Sequence, residues 1–374
     1  MKTRLMTLMA CLFTAIMSLT AQEIATWDNW CSTAVTFTFE DGGMQTASHT
    51  WAAEQFDQHG FKGSFYLVTN WCNYNSWNDY KTLAQNGHEI GSHSVSHPNN
   101  CQGELNSSKE KIEDEIGQPC LTIVYPNDVY PGRTVLNYYI GGRLCDGSIN
   151  SYSPADFSRI DAIICGSNGK IQTAEQFISK CEEADNRWVV FHLDGIKGIS
   201  GGGTYTPTNQ DAFLGTLDWL QQNKSTYWVT TMRDAIKYIQ ERNYATFVKY
   251  SQEASSVTYK LTLPTSLTSN TLCNWDYPLS LRVPLPSGWS DATVKQNNKT
   301  IASEIKAGKV YFKAVPNGGN IVLTKGTSIS TNVENVPTNP LFNEDSWYTI
   351  YGVRLDGKPN TSGVYIHNGK TVIR

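Results

Sequence analysis

From residue 34 to about residue 243, short apolar runs alternate with amphipathic stretches, and this repeat restricts the fold more than any other feature of the chain. The runs at 35–39, 63–68, 89–91, 121–125, 140–141, 162–164, 188–193 and 227–230 are too short for helices and read as strands. Between them, residues 48–58, 77–86, 102–116, 134–139, 174–184, 209–223 and 232–242 have helix-like spacing. Strand followed by helix, repeated, predicts an α/β fold: a parallel sheet or barrel with its helices outside. In such folds chemistry collects at the carboxyl ends of the strands.

After residue 243 the character changes. Residues 245–326 are rich in Thr, Ser, Val and Asn, with runs such as VTYKLTLP and LSLRVPLP between Gly, Pro and Asn turns, and read as a small all-β, sandwich-like domain. Residues 327–345 are polar and read as a linker. Residues 346–374 read as a β segment of three short strands, with His367-Asn368-Gly369 as a tight turn. At the other end, residues 1–21 have the basic start, apolar middle and small-residue finish of a secretory signal peptide, cut after Ala21. The α/β unit then occupies 22–244. No other segment is long and apolar enough to span a membrane. With a net charge of −4 and no charge blocks, nothing marks a nucleic-acid or anionic-membrane partner, and an uncharged one is expected. Beyond Cys11 there are eight cysteines, none in CxxC spacing; they read as structural, with no pairing assigned.

The stretch VTFTFEDGG, 35–43, sets Glu40 and Asp41 side by side at the end of a predicted strand. Neighbours on an extended chain point to opposite sides, so the two carboxylates are expected to do different jobs. A second stretch, NGHEIGSHSVSHPNN, places His93 and His97 four apart after another strand, a spacing that lets two imidazoles meet one metal from a helical turn. Asp41, His93 and His97 would give three ligands and leave a position open, as catalytic zinc-type sites do, and the donor set suits zinc and related divalent ions. Hydrolysis of an ester or amide at such a site also needs a base, an oxyanion donor and an acid. Asp41 would turn to the metal while Glu40, facing the other way, takes the proton.

These residues resemble the polysaccharide deacetylases of the NodB-homology type, carbohydrate esterase family four. That family's first motif, Thr-Phe-Asp-Asp-Gly, is seen as Thr38-Phe39-Glu40-Asp41-Gly42, and its second, His-Ser/Thr-x-x-His, is matched by His93-Ser94-Val95-Ser96-His97. The text around them, HGFKGSFYLV and GHEIGSH, is similar too, and the resemblance covers about 32–243. It implies a distorted (β/α) barrel, a divalent metal (zinc foremost, cobalt or another ion possible) on Asp41, His93 and His97, and Glu40 in the base position. The third motif, Arg-x-Pro-Tyr, appears as Val124-Tyr125-Pro126-Asn127, without the arginine that steadies the base; the oxyanion-facing backbone N–H falls on Asn127, and Tyr125 is a further candidate. The fourth motif, Asp followed by Trp, has no clear counterpart; Asp146 and Asp156 are candidates. In WVVFHLDGI, 188–196, alignment on the histidine puts His192 in the acid's place and alignment on Gly195-Ile196 puts Asp194 there. His192 is preferred because an unperturbed pKa near 6.5 suits proton donation.

The expectation is thus a secreted, metal-dependent deacetylase acting on an acetylated polysaccharide or oligosaccharide, with the O-acetyl groups of xylan foremost. Two alternatives stand beside it: an N-deacetylase of chitin-type oligosaccharides or peptidoglycan, and a catalytically degenerate glycan-binding protein. The C-terminal segment is similar to the sorting segments of type nine secretion substrates, which would make export machinery a partner. His49, His59 and His88 read as surface or packing residues, and Trp71, Trp77 and Tyr130 are the aromatic residues nearest the site in sequence.

Overall fold

The computed structural model describes residues 22–199 and 204–326, together with strand pieces between 347 and 373. The expected signal peptide and linker lie outside the described residues. The chain divides into two compact units, Met1–Gly326 and Thr327–Arg374.

In the first unit a short strand β1 (Glu23–Ile24) is followed by β2 (Thr33–Gly42), α1 (Thr46–His59), β3 (Ser64–Leu67), α2 (Tyr74–Gln85), β4 (Glu89–Ser92), α3 (Leu105–Ile116), β5 (Thr122–Val124), β6 (Gly141–Leu144), β7 (Ile160–Asp161), β8 (Ile163–Ile164), α4 (Ala174–Glu183), β9 (Trp188–Leu193), α5 (Gln210–Gln222), β10 (Tyr227–Val229) and α6 (Met232–Tyr244). Strands β2 to β10 form one parallel sheet in the order β7-β6-β5-β4-β3-β2-β9-β8, with β10 also on β2. The two edge strands are separated by Ala162 alone, β7 pairing with β6 and β8 with β9, so the sheet curls into a nearly closed barrel. The distortion lies at β2, which pairs with β10 through Thr33–Val35 and with β3 from Thr38 onward. This is the (β/α) barrel the strand and helix alternation predicts. Residues 134–139, expected as a helix, form only a 3-10 turn at Arg133–Asn137.

Alternation along β2 decides what each face buries. Val35, Phe37 and Phe39 point outward into a core with Phe56 of α1 and Phe213 of α5, where ring centroids of Phe37 and Phe56 lie 5.6 Å apart. Thr36 and Thr38 face β9 instead: Trp188 Nε1 donates to Thr36 Oγ1 at 3.0 Å, and Thr38 Oγ1 donates to the Phe191 carbonyl at 2.7 Å. The amino-terminal end of the barrel is closed by α6. Ser64 Oγ accepts from Met232 N, and the buried Glu89 carboxylate accepts from Arg233 N at 2.9 Å, a negative charge at a helix N-terminus. That leaves the carboxyl ends of the strands open for chemistry.

The chain then builds two antiparallel sheets from β11 (Thr246–Gln252), β12 (Ser256–Thr262), a one-turn α7 (Thr265–Thr268), β13 (Leu279–Pro284), β14 (Ala292–Gln296), β15 (Lys299–Ile301), β16 (Ser303–Lys306), β17 (Lys309–Ala314) and β18 (Ile321–Lys325). One sheet runs β11-β12-β18-β14-β15 and the other β1-β13-β17-β16, so Glu23 and Ile24 pair with Arg282 and Leu281. Leu281, Val283, Val310 and Leu323 share one buried cluster with Trp228, Tyr238 and Ile239 of the barrel. The second unit holds β19 (Trp347–Thr349), β20 (Arg354–Leu355), β21 (Val364–His367) and β22 (Lys370–Ile373) in the order β20-β19-β21-β22. Among the described residues it has four strands where the pattern suggests three, because a two-residue strand leaves no alternation to read.

Candidate metal centre and active site

Glu40 continues the Thr36, Thr38 face of β2 and is 8% exposed at the barrel mouth. Asp41 does not alternate with it, because its φ is 58°, in the left-handed region. Both carboxylates therefore approach the same imidazole, His93 Nε2 lying 3.5 Å from Glu40 Oε2 and 3.6 Å from Asp41 Oδ1. The opposed pair expected from strand geometry converges instead. The glycines that follow are steric requirements. A Cβ on Gly42 would come within 2.9 Å of the Tyr66 carbonyl oxygen, and one on Gly43, at φ +103°, within 2.6 Å of the Trp71 carbonyl carbon.

His93 sits just past β4. Its Nδ1–H donates to the Val124 carbonyl at 3.0 Å, so Nε2 carries the lone pair. Nε2 is buried with no hydrogen-bond partner, and burial pushes the pKa of His93 down to about 3, with His97 adding to the effect. A neutral nitrogen lone pair aimed at carboxylate oxygens is repulsive unless a cation lies between them. His97 Nε2 is 3.8 Å from Asp41 Oδ1, and the donor atoms of Asp41, His93 and His97 all lie within 4.8 Å of one another. Burial, with the charge of Asp194, raises the pKa of Asp41 to about 6, a cost that a bound cation would reverse. The residues fit a divalent metal.

The two histidines do not share a helical turn. Ser94 and His97 have φ of 71° and 59°, and left-handed residues of this kind gather where function over-determines the backbone. Glu104, which sequence reasoning missed, clamps the loop: its carboxylate accepts from Val95 N at 2.8 Å, Ser96 N at 2.9 Å and Ser96 Oγ at 2.6 Å. Burial alone would raise its pKa, but these donors hold it below the ordinary range. Of the nearby aromatics, Trp71 stacks on His97, with ring centroids 5.3 Å apart. Trp77 is buried, and the Tyr130 hydroxyl bonds Ser158 Oγ.

On the other side of Glu40 stands a group the motifs did not reveal. Arg143, fully buried on β6, donates from Nη2 to Glu40 Oε1 and from Nη1 to Cys145 Sγ. The arginine absent from 124–127 is thus supplied by the next strand along the sheet. The signal available was a charged residue inside the short apolar run GGRL. His192 and Asp194, the two candidates for the acid, are hydrogen-bond partners: His192 Nε2 lies 2.8 Å from Asp194 Oδ1 and 3.5 Å from Glu40 Oε2, while Nδ1 lies 3.2 Å from Cys145 Sγ. Burial lowers the pKa of His192, opposed by the Asp194 hydrogen bond, so the titration near 6.5 that favoured it as an acid is displaced downward. Glu40, Cys145 and His192 also bring donor atoms within 4.8 Å of one another, but the Arg143 guanidinium already supplies the positive charge there.

The remaining candidates separate. Asn127 is exposed in the turn Pro126–Asp128 with φ 55°, and its Nδ2 donates to Asn99 Oδ1 at 3.2 Å, which ties this turn to the loop that carries His97. Tyr125 is buried and donates its hydroxyl to the Ser158 carbonyl at 2.8 Å; a Cβ on Gly142 would lie 1.8 Å from that hydroxyl oxygen. Asp156 caps a 3-10 turn through Ser158 N, and Asp146 is exposed. His49 is buried and neutral, its Nε2 bonding the Glu40 carbonyl at 2.8 Å.

Residues 29–138 match the family profile described as polysaccharide deacetylase. A gellan lyase from Bacillus sp. is 25% identical over 349 residues, a match that takes in 84% of this chain and only 14% of that protein. Among solved structures, a family 4 acetyl xylan esterase from Clostridium thermocellum in complex with a cobalt ion is 17% identical, with 54% of this chain and 89% of that chain covered at a TM-score of 0.39. A peptidoglycan deacetylase from Bacillus subtilis is 16% identical, with 58% and 95% covered at a TM-score of 0.39. The stretch that carries Glu40, Asp41, His93, His97 and Asn127 on the parallel barrel is thus the stretch that matches the polysaccharide deacetylase family.

Proposed function

We propose that the chain is a divalent-metal-dependent deacetylase of acetylated polysaccharides, secreted, with the O-acetyl groups of xylan as its leading substrate. The observation that carries this reading is the convergence of Asp41, His93 and His97 donor atoms beside a Glu40 carboxylate that is itself held by Arg143. A divalent ion on those three residues, zinc or cobalt by donor type, would acidify a water and polarise the acetyl carbonyl. Glu40 Oε2, free of Arg143 and beside His93 Nε2, accepts the proton of the attacking water. Arg143 keeps Oε1 occupied, which fixes the oxygen that does the work. The Asn127 backbone N–H is assigned to the developing oxyanion. His192 presents Nε2 to the same edge of Glu40 and returns a proton to the departing sugar oxygen. Because burial disfavours its charged form, His192 works as a neutral relay: its Nε2–H passes to the sugar oxygen while the proton that Glu40 took from the water refills the same nitrogen. The β-sandwich, which packs on the barrel, would also hold glycan, and the C-terminal β segment would address the protein to export machinery.

The test is acetate release from acetylated xylan and from an N-acetylated chitooligosaccharide, with metal-loaded wild type beside Asp41→Ala. Release by wild type alone supports the metal-centred hydrolase, and the preferred substrate assigns the acyl bond. Sugar binding without release from either, with metal bound, would replace the enzyme reading by the glycan-binding one.

A further inference from the structure

Four side chains at the barrel mouth close a loop of contacts: Glu40 to Arg143, Arg143 to Cys145, Cys145 to His192, and His192 back to Glu40. Three strand ends supply them, from β2, β6 and β9. Cys145 is the member for which neither the metal centre nor the proton transfers provide a reason.

Hydrogen-bond bookkeeping fixes what the thiol does. Asp194 Oδ1 faces His192 Nε2 at 2.8 Å, and a carboxylate can only accept, so Nε2 carries the hydrogen. Nδ1 is then a lone pair, and the group 3.2 Å from it must donate, which a thiol does. The sulfur in turn accepts from Arg143 Nη1. Every donor in the chain then has one acceptor, in a single direction. Burial pushes the Cys145 thiol up to about 12, which keeps the S–H in place.

We infer that Cys145 is a positioning residue for His192: anchored by Arg143, its S–H acts with Asp194 to hold the imidazole in the Nε2–H tautomer, with Nε2 kept 3.5 Å from Glu40 Oε2. A Cys-His-Asp series of this kind also occurs in thiol nucleophiles, where the sulfur itself is acylated. Here the Arg143 bond, made to the same sulfur, favours the anchoring role. The inference rests on the deacetylase reading for its rate measurement only.

The experiment compares wild type, Cys145→Ser and Cys145→Ala, each matched for bound metal and melting temperature. Nitrogen NMR of histidine-labelled protein reads the tautomer, and steady-state kinetics on an acetylated glycan read kcat and KM. The expected result is an Nε2–H tautomer in wild type and in Cys145→Ser, which keeps a donor, and a mixed population in Cys145→Ala. The alanine variant should lose about tenfold or more in kcat at constant KM, and serine should restore most of it. An unchanged tautomer and rate in Cys145→Ala would overturn the inference, as would a serine variant as impaired as alanine or an acetyl thioester on Cys145 in the intact mass. If wild type releases no acetate but the tautomer still follows Cys145, the deacetylase reading fails and the positioning role stands.

Discussion

Replacing Arg143 by Met removes the charge facing Glu40 and keeps much of the side-chain volume. Arg143 is 0% exposed and Glu40 8%, so solvent cannot step in for the missing partner. Unit charges in contact attract by roughly 4 kcal/mol at an effective dielectric near 20, and breaking a buried pair from one side costs about 3–5 kcal/mol because the other charge is stranded. We expect Arg143→Met to lower the unfolding free energy of the metal-free protein by about 3 kcal/mol, read from the urea midpoint by tryptophan fluorescence at pH 7. In a Glu40→Gln background no charge is stranded, so the same substitution should cost markedly less, with a coupling of about 2 kcal/mol between the two sites. Salt discriminates further. An exposed pair would lose most of its coupling between 0.05 and 0.5 M salt, because the Debye length shrinks to a few ångströms, whereas this one should keep it. A loss below about 1 kcal/mol, or additive single substitutions, would refute the claim that Arg143 and Glu40 form a closed, desolvated pair.

The metal site makes two further expectations. Asp41 must be ionised to bind a cation, and with its free pKa raised to about 6 the apparent affinity should be level well above pH 6 and fall by at least about tenfold per unit below it; His93, held near 3, adds no proton competition in that range, and any from His97, whose pKa burial lowers, only steepens the fall. Calorimetric zinc titrations from pH 5 to 8 check this, and a flat profile would contradict it. Glu104→Ala removes the acceptor for three donors of the His93–His97 loop and should weaken metal binding by roughly 10–100-fold while the folded barrel survives, as read by metal content after dialysis and by circular dichroism.

The period-two pattern of VTFTFE predicts β2 and its two faces, because strand geometry is local: Phe37 and Phe39 go out to the helices and Thr36, Thr38 and Glu40 go in. The order of strands and helices likewise predicts the parallel barrel, since crossovers leave few ways to pair parallel strands. The residues proposed for the metal centre stand out in the sequence for a related reason. Asp41 lies at the carboxyl end of β2, His93 directly follows β4 and His97 is in the loop beyond it, the end of a parallel barrel where chemistry collects. What could not be read was direction. Asp41, Ser94 and His97 adopt left-handed conformations that no alternation rule anticipates, and these turn Asp41 toward the imidazole that Glu40 also faces. Nor does the sequence say which charges become neighbours. Glu40 and Arg143 are 103 positions apart and meet because closing the sheet brings the ends of β2 and β6 around one mouth, as it brings Cys145 to His192. Local periodicity determined the elements and the ligand types, whereas the curl of the barrel decided the partners, because burial and contact depend on distances across the sheet that spacing along the chain does not encode.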